Sequence, residues 1–188
     1  MTPEGQYIIS VMSVDRVGII HDISDQILAL RGNIVELSQT VVRGYFTVLI
    51  EAVFPAEVQA DAVMNAIAGN GRGPGELQVL VTPRAAAVPV AKSRCERYVL
   101  TARGPDKPGS IHRIASFLAG NDVNFEDLYC YAEGDRFIII AQITLPPALA
   151  CERLQIDLDQ LGRNADMEIF LQHENIFRAV NEIPMVGE

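Results

Sequence analysis

Asp15-Arg16-Val17-Gly18-Ile19-Ile20 and Asp106-Lys107-Pro108-Gly109-Ser110-Ile111 share one pattern. In each, an aspartate is followed by two residues, a glycine and the start of an apolar helical stripe. A glycine at a strand-to-helix junction lets a ligand approach the backbone closely. The free N–H groups of a helix start favour a carboxylate. Gly18, Ile19 and Ile20, with Gly109, Ser110 and Ile111, are therefore candidate anion-holding positions. Asp15 and Asp106 supply a carboxylate for an ammonium group, or a capping acceptor for the turn. Asn33 and Asn124 each offer a donor and an acceptor, for a ligand or as helix stops. His21 and His112 occupy the first helical turn. No Ser or Cys recurs with them, so no base–nucleophile pair repeats. They are expected on the surface, at a ligand rim, and no catalysis is expected.

Other candidate chemistry is weaker. Cys95, Cys130 and Cys151 are odd in number and widely spaced, with no CxxC, so reduced thiols are expected and no metal site. Gly69-Asn70-Gly71-Arg72-Gly73-Pro74-Gly75 lacks the Gly-Lys-Ser/Thr ending of a phosphate loop and precedes a strand. A flexible loop is expected there. The pairs Glu126-Asp127 and Asp157/Asp159 suit a solvated face, and His173 a structural role. No cofactor is implied. The formal net charge is −9, with 6 basic and 9 acidic residues in 1–92 and 9 basic and 15 acidic in 93–188. Neither half offers the clustered Lys/Arg that direct nucleic-acid binding needs. No apolar run of membrane-spanning length occurs, and the N-terminus lacks signal-peptide features. A cytoplasmic protein with no direct nucleic-acid or membrane contact is expected.

The elements that position these residues follow from a repeat. Shifting the chain by 91 residues gives ten identities over the 49 positions from Tyr7 to Pro55, without a gap. Among them are Tyr7/Tyr98, Asp15/Asp106, Gly18/Gly109, His21/His112, Asn33/Asn124 and Phe46/Phe137. Each copy is long enough for its own core. We expect domains at 1–84 and 95–188, the second with a C-terminal tail, and an Ala/Pro-rich linker at 85–94.

In the first copy, Tyr7–Val14 alternates as a strand should. Ile20, Ile23, Ile27 and Leu30 form a helical stripe ended by Gly32-Asn33; Ile111, Ile114 and Leu118 repeat it, ended by Gly120-Asn121. Strands at 34–42 and 45–54 are joined by Arg43-Gly44, and strands at 123–132 and 136–145 by Glu133-Gly134-Asp135. Pro55 and Pro146 are expected to open a second helix, before last strands at 77–81 and 167–171. A short helix with Ile176, Phe177 and Val180 on one side closes the chain. The order β-α-β-β-α-β, twice, is the ferredoxin-like split unit of the α+β class, a four-stranded antiparallel sheet with two helices on one face. The other face needs a partner, and the second copy is the expected one.

The two Asp-x-x-Gly turns resemble the Asp-Arg-Pro-Gly-Leu-Leu turn of ACT domains. Asn33-Ile34 and Asn124-Phe125 match the Asn-Ile that opens the second strand of that family. Val17 and Ser110 depart from the pattern. The resemblance covers about Tyr7 to His173, and the tandem arrangement with its His-Glu-Asn-Ile-Phe ending is similar to the glycine cleavage repressor group. It implies a regulatory module that senses a small amino acid, glycine or serine, between the turn of one unit and a helix start of another. It further implies a homodimer that regulates transcription through contact with a DNA-binding activator protein. A scaffold without ligand, or a regulatory subunit of an amino-acid metabolic enzyme, are the other readings.

Overall fold

The computed structural model describes residues 4–85, 96–147 and 149–181. The chain divides into two units, Met1–Pro89 and Val90–Glu188. Apart from Ala85, the expected linker lies outside the described residues, as does Cys95. The first unit runs β1 (Glu4–Val14), α1 (Ile19–Ala29), β2 (Asn33–Val42), β3 (Tyr45–Pro55), α2 (Ala60–Gly69) and β4 (Gln78–Pro83). The second runs β5 (Glu96–Pro105), α3 (Ser110–Gly120), β6 (Asn124–Glu133), β7 (Arg136–Leu145), α4 (Cys151–Ala165) and β8 (Glu168–His173), and adds α5 (Glu174–Asn181). Their sheets have the orders β2-β3-β1-β4 and β6-β7-β5-β8, antiparallel throughout. The expected α+β architecture is therefore present twice.

The alternation of β3 and β7 explains the layers. Phe46, Val48, Ile50, Ala52 and Phe54 are buried, as are Phe137, Ile139, Ala141, Ile143 and Leu145. They meet Ile23 and Ile27 of α1 with Val63 and Ile67 of α2, or Ile114 and Leu118 of α3 with Leu154 and Leu158 of α4. The two cores are not copies. Ile50 and Ala52 stand where the repeat places Ala141 and Ile143, so large and small side chains exchange places along one strand at similar total volume.

Several boundaries differ from expectation for local reasons. Pro55 is the last residue of β3 and not the start of α2. A turn intervenes, with the Val58 N–H donating to the Pro55 carbonyl at 2.9 Å. Leu149 and Pro146 repeat it at 2.9 Å before α4. Gly32 is not the left-handed residue that ends α1; Arg31 is, at φ 59°, and Asp122 matches it after α3 at φ 61°. The Gly32 N–H returns to the Ile27 carbonyl at 2.8 Å and the Val123 N–H to the Leu118 carbonyl at 2.9 Å, closing both helix ends the same way. Asn33 and Asn124 open β2 and β6 and are not helix stops. Glu133 pairs with Arg136, so the second hairpin turns on two residues, Gly134 and Asp135, with Gly134 at φ 65°.

The tail behaves as an amphipathic element should. α5 packs on β5 and β8. Val99 lies outside the helix-side core, on the opposite face of the sheet, yet is only 3% exposed. Its repeat partner Ile8 is half-buried.

Candidate functional site

Each Asp-x-x-Gly turn joins the end of a sheet to a helix. Gly18 and Gly109 sit at the helix N-cap with φ 96° and 90°, a left-handed conformation that a residue with a Cβ adopts at a cost. Neither cap receives a side-chain hydrogen bond, so Asp15 and Asp106 do not cap these helices. Their backbones tie the turn to the neighbouring hairpin instead. The Asp15 N–H donates to the Gly44 carbonyl at 2.8 Å, and the Asp106 N–H to the Asp135 carbonyl at 2.9 Å.

Beyond the cap, the first helical N–H bond comes at Asp22 to the Gly18 carbonyl (2.9 Å) and at Arg113 to the Gly109 carbonyl (3.0 Å). Among the described residues, the N–H groups of Ile19, Ile20 and His21 therefore have no acceptor, as a helix start predicts. In the second unit Ser110 turns its N–H (3.3 Å) and its hydroxyl (2.9 Å) to the Lys107 carbonyl, which leaves Ile111 and His112. The Ile19 side chain is core, so only its backbone can meet a ligand. His21 and His112 are exposed, as expected of a rim.

The surroundings of the two turns differ in charge. Arg16 hydrogen-bonds Glu76 through Nε and Asp22 through Nη2 at 2.7 Å. These bonds raise the pKa of the Arg16 guanidinium and lower those of the Glu76 and Asp22 carboxyls. The Gly-rich stretch is held to the same network. The Arg72 N–H donates to Glu76, and the Asn70 amide donates to the Asp22 carbonyl at 2.8 Å. Composition hides this cluster, because its members are 6 and 60 residues apart. At the second turn, among the described residues, Lys107 meets Asp166 at 3.3 Å, and both are exposed.

Asn33 and Asn124 do not join the turns of their own units. Asn33 pairs with Val53 of β3, whereas the turn leaves β1 beside Tyr45. Those positions are eight residues apart along β3, roughly 26 Å at ~3.3 Å per residue. Asn124 pairs with Thr144, with the same eight-residue separation from Arg136. One small ligand cannot bridge turn and asparagine inside a unit. Asn33 instead borders a cleft of about 430 Å³ along α1 with His21, Ser24, Asp25 and Leu28. Just beyond each asparagine a β-bulge interrupts the edge strand, between Ile34 and Glu36 and between Phe125 and Asp127, at matching repeat positions.

Among the described residues no helix is long and apolar enough to cross a membrane, and no cluster of three or more His, Cys, Asp or Glu could hold a metal. Cys130 and Cys151 are free thiols, and His173 packs edge-on against Tyr98 with ring centres 5.3 Å apart.

The family model of the ACT domain matches residues 96–172, the span from β5 almost to the end of β8. The UPF0237 protein of Methanopyrus kandleri is 30% identical over 88 residues, 46% of this chain and 98% of that protein. The chain belongs to the ACT-domain family. The UPF0237 protein of Clostridium acetobutylicum is 40% identical over 86 residues, 45% of this chain and 97% of its own length. Each relative thus has the length of one ACT unit, and this chain has two. Two solved structures share the tandem fold. A protein of unknown function from Galdieria sulphuraria has a TM-score of 0.73 at 20% identity, covering 91% of this chain and 99% of that one. A candidate glycine cleavage system transcriptional repressor has a TM-score of 0.69 at 15% identity, covering 90% and 96%.

Proposed function

We propose that this tandem ACT protein is a cytoplasmic amino-acid sensor that regulates transcription through contact with a DNA-binding activator. The observation that carries the reading is the duplicated glycine-capped turn, which leaves helix-start N–H groups without acceptors in both units. Those groups suit the carboxylate of a small amino acid. Glycine or serine is the ligand we propose, in keeping with the resemblance of both turns to those of ACT domains. Asp15, Asp106, Asn33 and Asn124 supply the ammonium-facing groups. The separation of turn and asparagine within a unit means that both reach one ligand only where two units meet, which a homodimer provides. The fold shared with a candidate glycine cleavage repressor supports the transcriptional half. The acidity of both halves supports an effect exerted through another protein.

Calorimetric titration with glycine, serine and the remaining amino acids tests the sensing half. Saturable binding of a small amino acid, lost in Gly109→Ala or Asn124→Ala, is expected. Silence across all of them would leave an interaction scaffold, a reading that the Arg16 network favours at the first turn because it gives that turn a structural use. Pull-down with and without glycine tests the activator contact, and light scattering tests the dimer.

A further inference from the structure

We propose that the outer face of the first sheet, opposite α1 and α2, pairs with the same face of a second copy of this chain. The inference rests on the homodimer of the proposed function and names the surface that makes it.

Strand register sorts that face into rows. Nearest the Asp15–Gly18 turn, Val42, Tyr45 and Val14 lie side by side. Next come Thr40, Thr47, Met12 and Gln78, then Ser38, Leu49, Ser10 and Leu80. These three rows hold no charged residue, and Met12, Val14, Val42, Tyr45, Leu49 and Leu80 are all exposed in them. A contiguous apolar face without charges marks an interaction surface. The fourth row, Glu36, Glu51, Ile8 and Thr82, brings two carboxylates, and Glu51 holds Arg84 at 3.0 Å.

The second unit supplies an internal control. Its matching rows are Glu133, Arg136 and Pro105, then Tyr131, Ile138, Arg103 and Glu168. Charged side chains thus stand where the first unit has Val42, Tyr45, Met12 and Gln78. The same fold keeps one outer face wet at its turn end and leaves the other apolar.

Charge and area point to a second copy as the occupant. The chain carries a net charge of −9, so most of its surfaces repel their own copies, whereas the three uncharged rows do not. The second unit's outer face fits them less well, because it would bury Arg136, which has no ion pair among the described residues. The four strands have 11, 10, 11 and 6 residues. At ~3.3 Å per residue and ~4.8 Å between strands they pave roughly 600 Å², so two copies bury about 1,200 Å², the size at which specific interfaces begin. Charge also selects the orientation. With both sheets the same way up, the acid rows of the two copies gather at one end. Turned end for end about the Leu49 row, Glu36 and Glu51 lie over the Thr40 and Thr47 hydroxyls of the other copy, which can donate to them. Each Leu49 then meets its counterpart across a two-fold axis. This orientation also brings the turn end of one sheet over the Asn33 end of the other.

The test is light scattering and sedimentation of the full chain without amino acid, with circular dichroism to verify that each variant is folded. A dimer is expected. Leu49→Glu and Leu80→Glu should each weaken it about a hundredfold, because carboxylates are then buried beside one another. Leu49→Lys should do the same, and an equimolar mixture of Leu49→Glu and Leu49→Lys should dimerise again. Tyr131→Glu, on the second unit's outer face, should leave the dimer unchanged. A dimer undiminished in folded Leu49→Glu and Leu80→Glu variants would overturn this face and leave the homodimer standing, whereas a monomeric wild-type chain would overturn both. Failure of the mixture to dimerise would overturn pairing of the face with its own copy. Loss of the dimer in Tyr131→Glu would assign the contact to the second unit's outer face and overturn the proposal. Amino-acid titration reads the sensing site separately.

Discussion

At the end of the first helix, one unit carries Gly32 against Phe54, and the other carries Val123 against Leu145 at the same repeat positions. A Cβ added to Gly32 would lie 2.4 Å from the Phe54 ring and 2.9 Å from Ile27. The larger aromatic side chain in β3 has taken the volume that valine fills in the second unit. The backbone route is shared down to the same closing hydrogen bond, while the packing solution is not. The turns show the same division between shared backbone and separate surroundings. Both use a left-handed glycine, but only the first is braced by a buried-edge charge network. The outer sheet faces differ most. One is partly covered by α5 and forms a cleft, whereas the other exposes Leu49 and Leu80 at 53% and 63%.

The largest effect is expected from breaking the volume exchange. Gly32→Val should destabilise the first unit by roughly 1–3 kcal/mol through overpacking. Adding Phe54→Leu should recover much of that loss, because the pair then matches the second unit. Thermal unfolding followed with hydrogen exchange resolved by unit measures both. A double variant as unstable as the single one would show that the two cores differ by more than this exchange.

A smaller effect is expected at the caps. Gly18→Ala and Gly109→Ala should each cost about 1 kcal/mol, from the left-handed backbone alone. An added Cβ meets only the Arg16 guanidinium at 3.7 Å in the first case and nothing within 4 Å in the second. Unequal losses in chemical denaturation would show that the braced turn carries additional strain.

The smallest effect concerns charge. Asp22 and Glu76 have carboxyl pKa values lowered chiefly by their hydrogen bonds to Arg16. Their contribution is thus full above the unfolded carboxylate range, near pH ~4, and is lost as pH falls through the lowered folded values. Arg16→Ala should flatten the acid limb of the melting temperature for the first unit. Lys107→Ala should change the second unit's acid limb less, since its pair with Asp166 is exposed. Identical acid limbs for wild type and Arg16→Ala would remove the distinction between the turns.

Much of the fold was legible because its signals are local. The 91-residue repeat, the alternation of β3 and β7 and the Ile23/Ile27 and Ile114/Leu118 stripes place strands, helices and core directly. The helix ends were less legible, since Gly32 draws attention as a stop while Arg31 takes the left-handed conformation. Glycine is used at that position for close approach to Phe54, a contact 22 residues away. The turns themselves were legible as strand-to-helix junctions. Their distance from Asn33 and Asn124 was not, because it depends on strand register.

The amino-acid sequence alone determined the element order, the duplication and the glycine-capped turns, since propensity, alternation and chain spacing act between near neighbours. Only the tertiary structure decided that Arg16, Asp22 and Glu76 meet, that turn and asparagine stand at opposite ends of a sheet, and that α5 covers Val99. Each of these depends on which apolar faces pack together and in what register, and burial drives that choice without leaving a spacing in the chain.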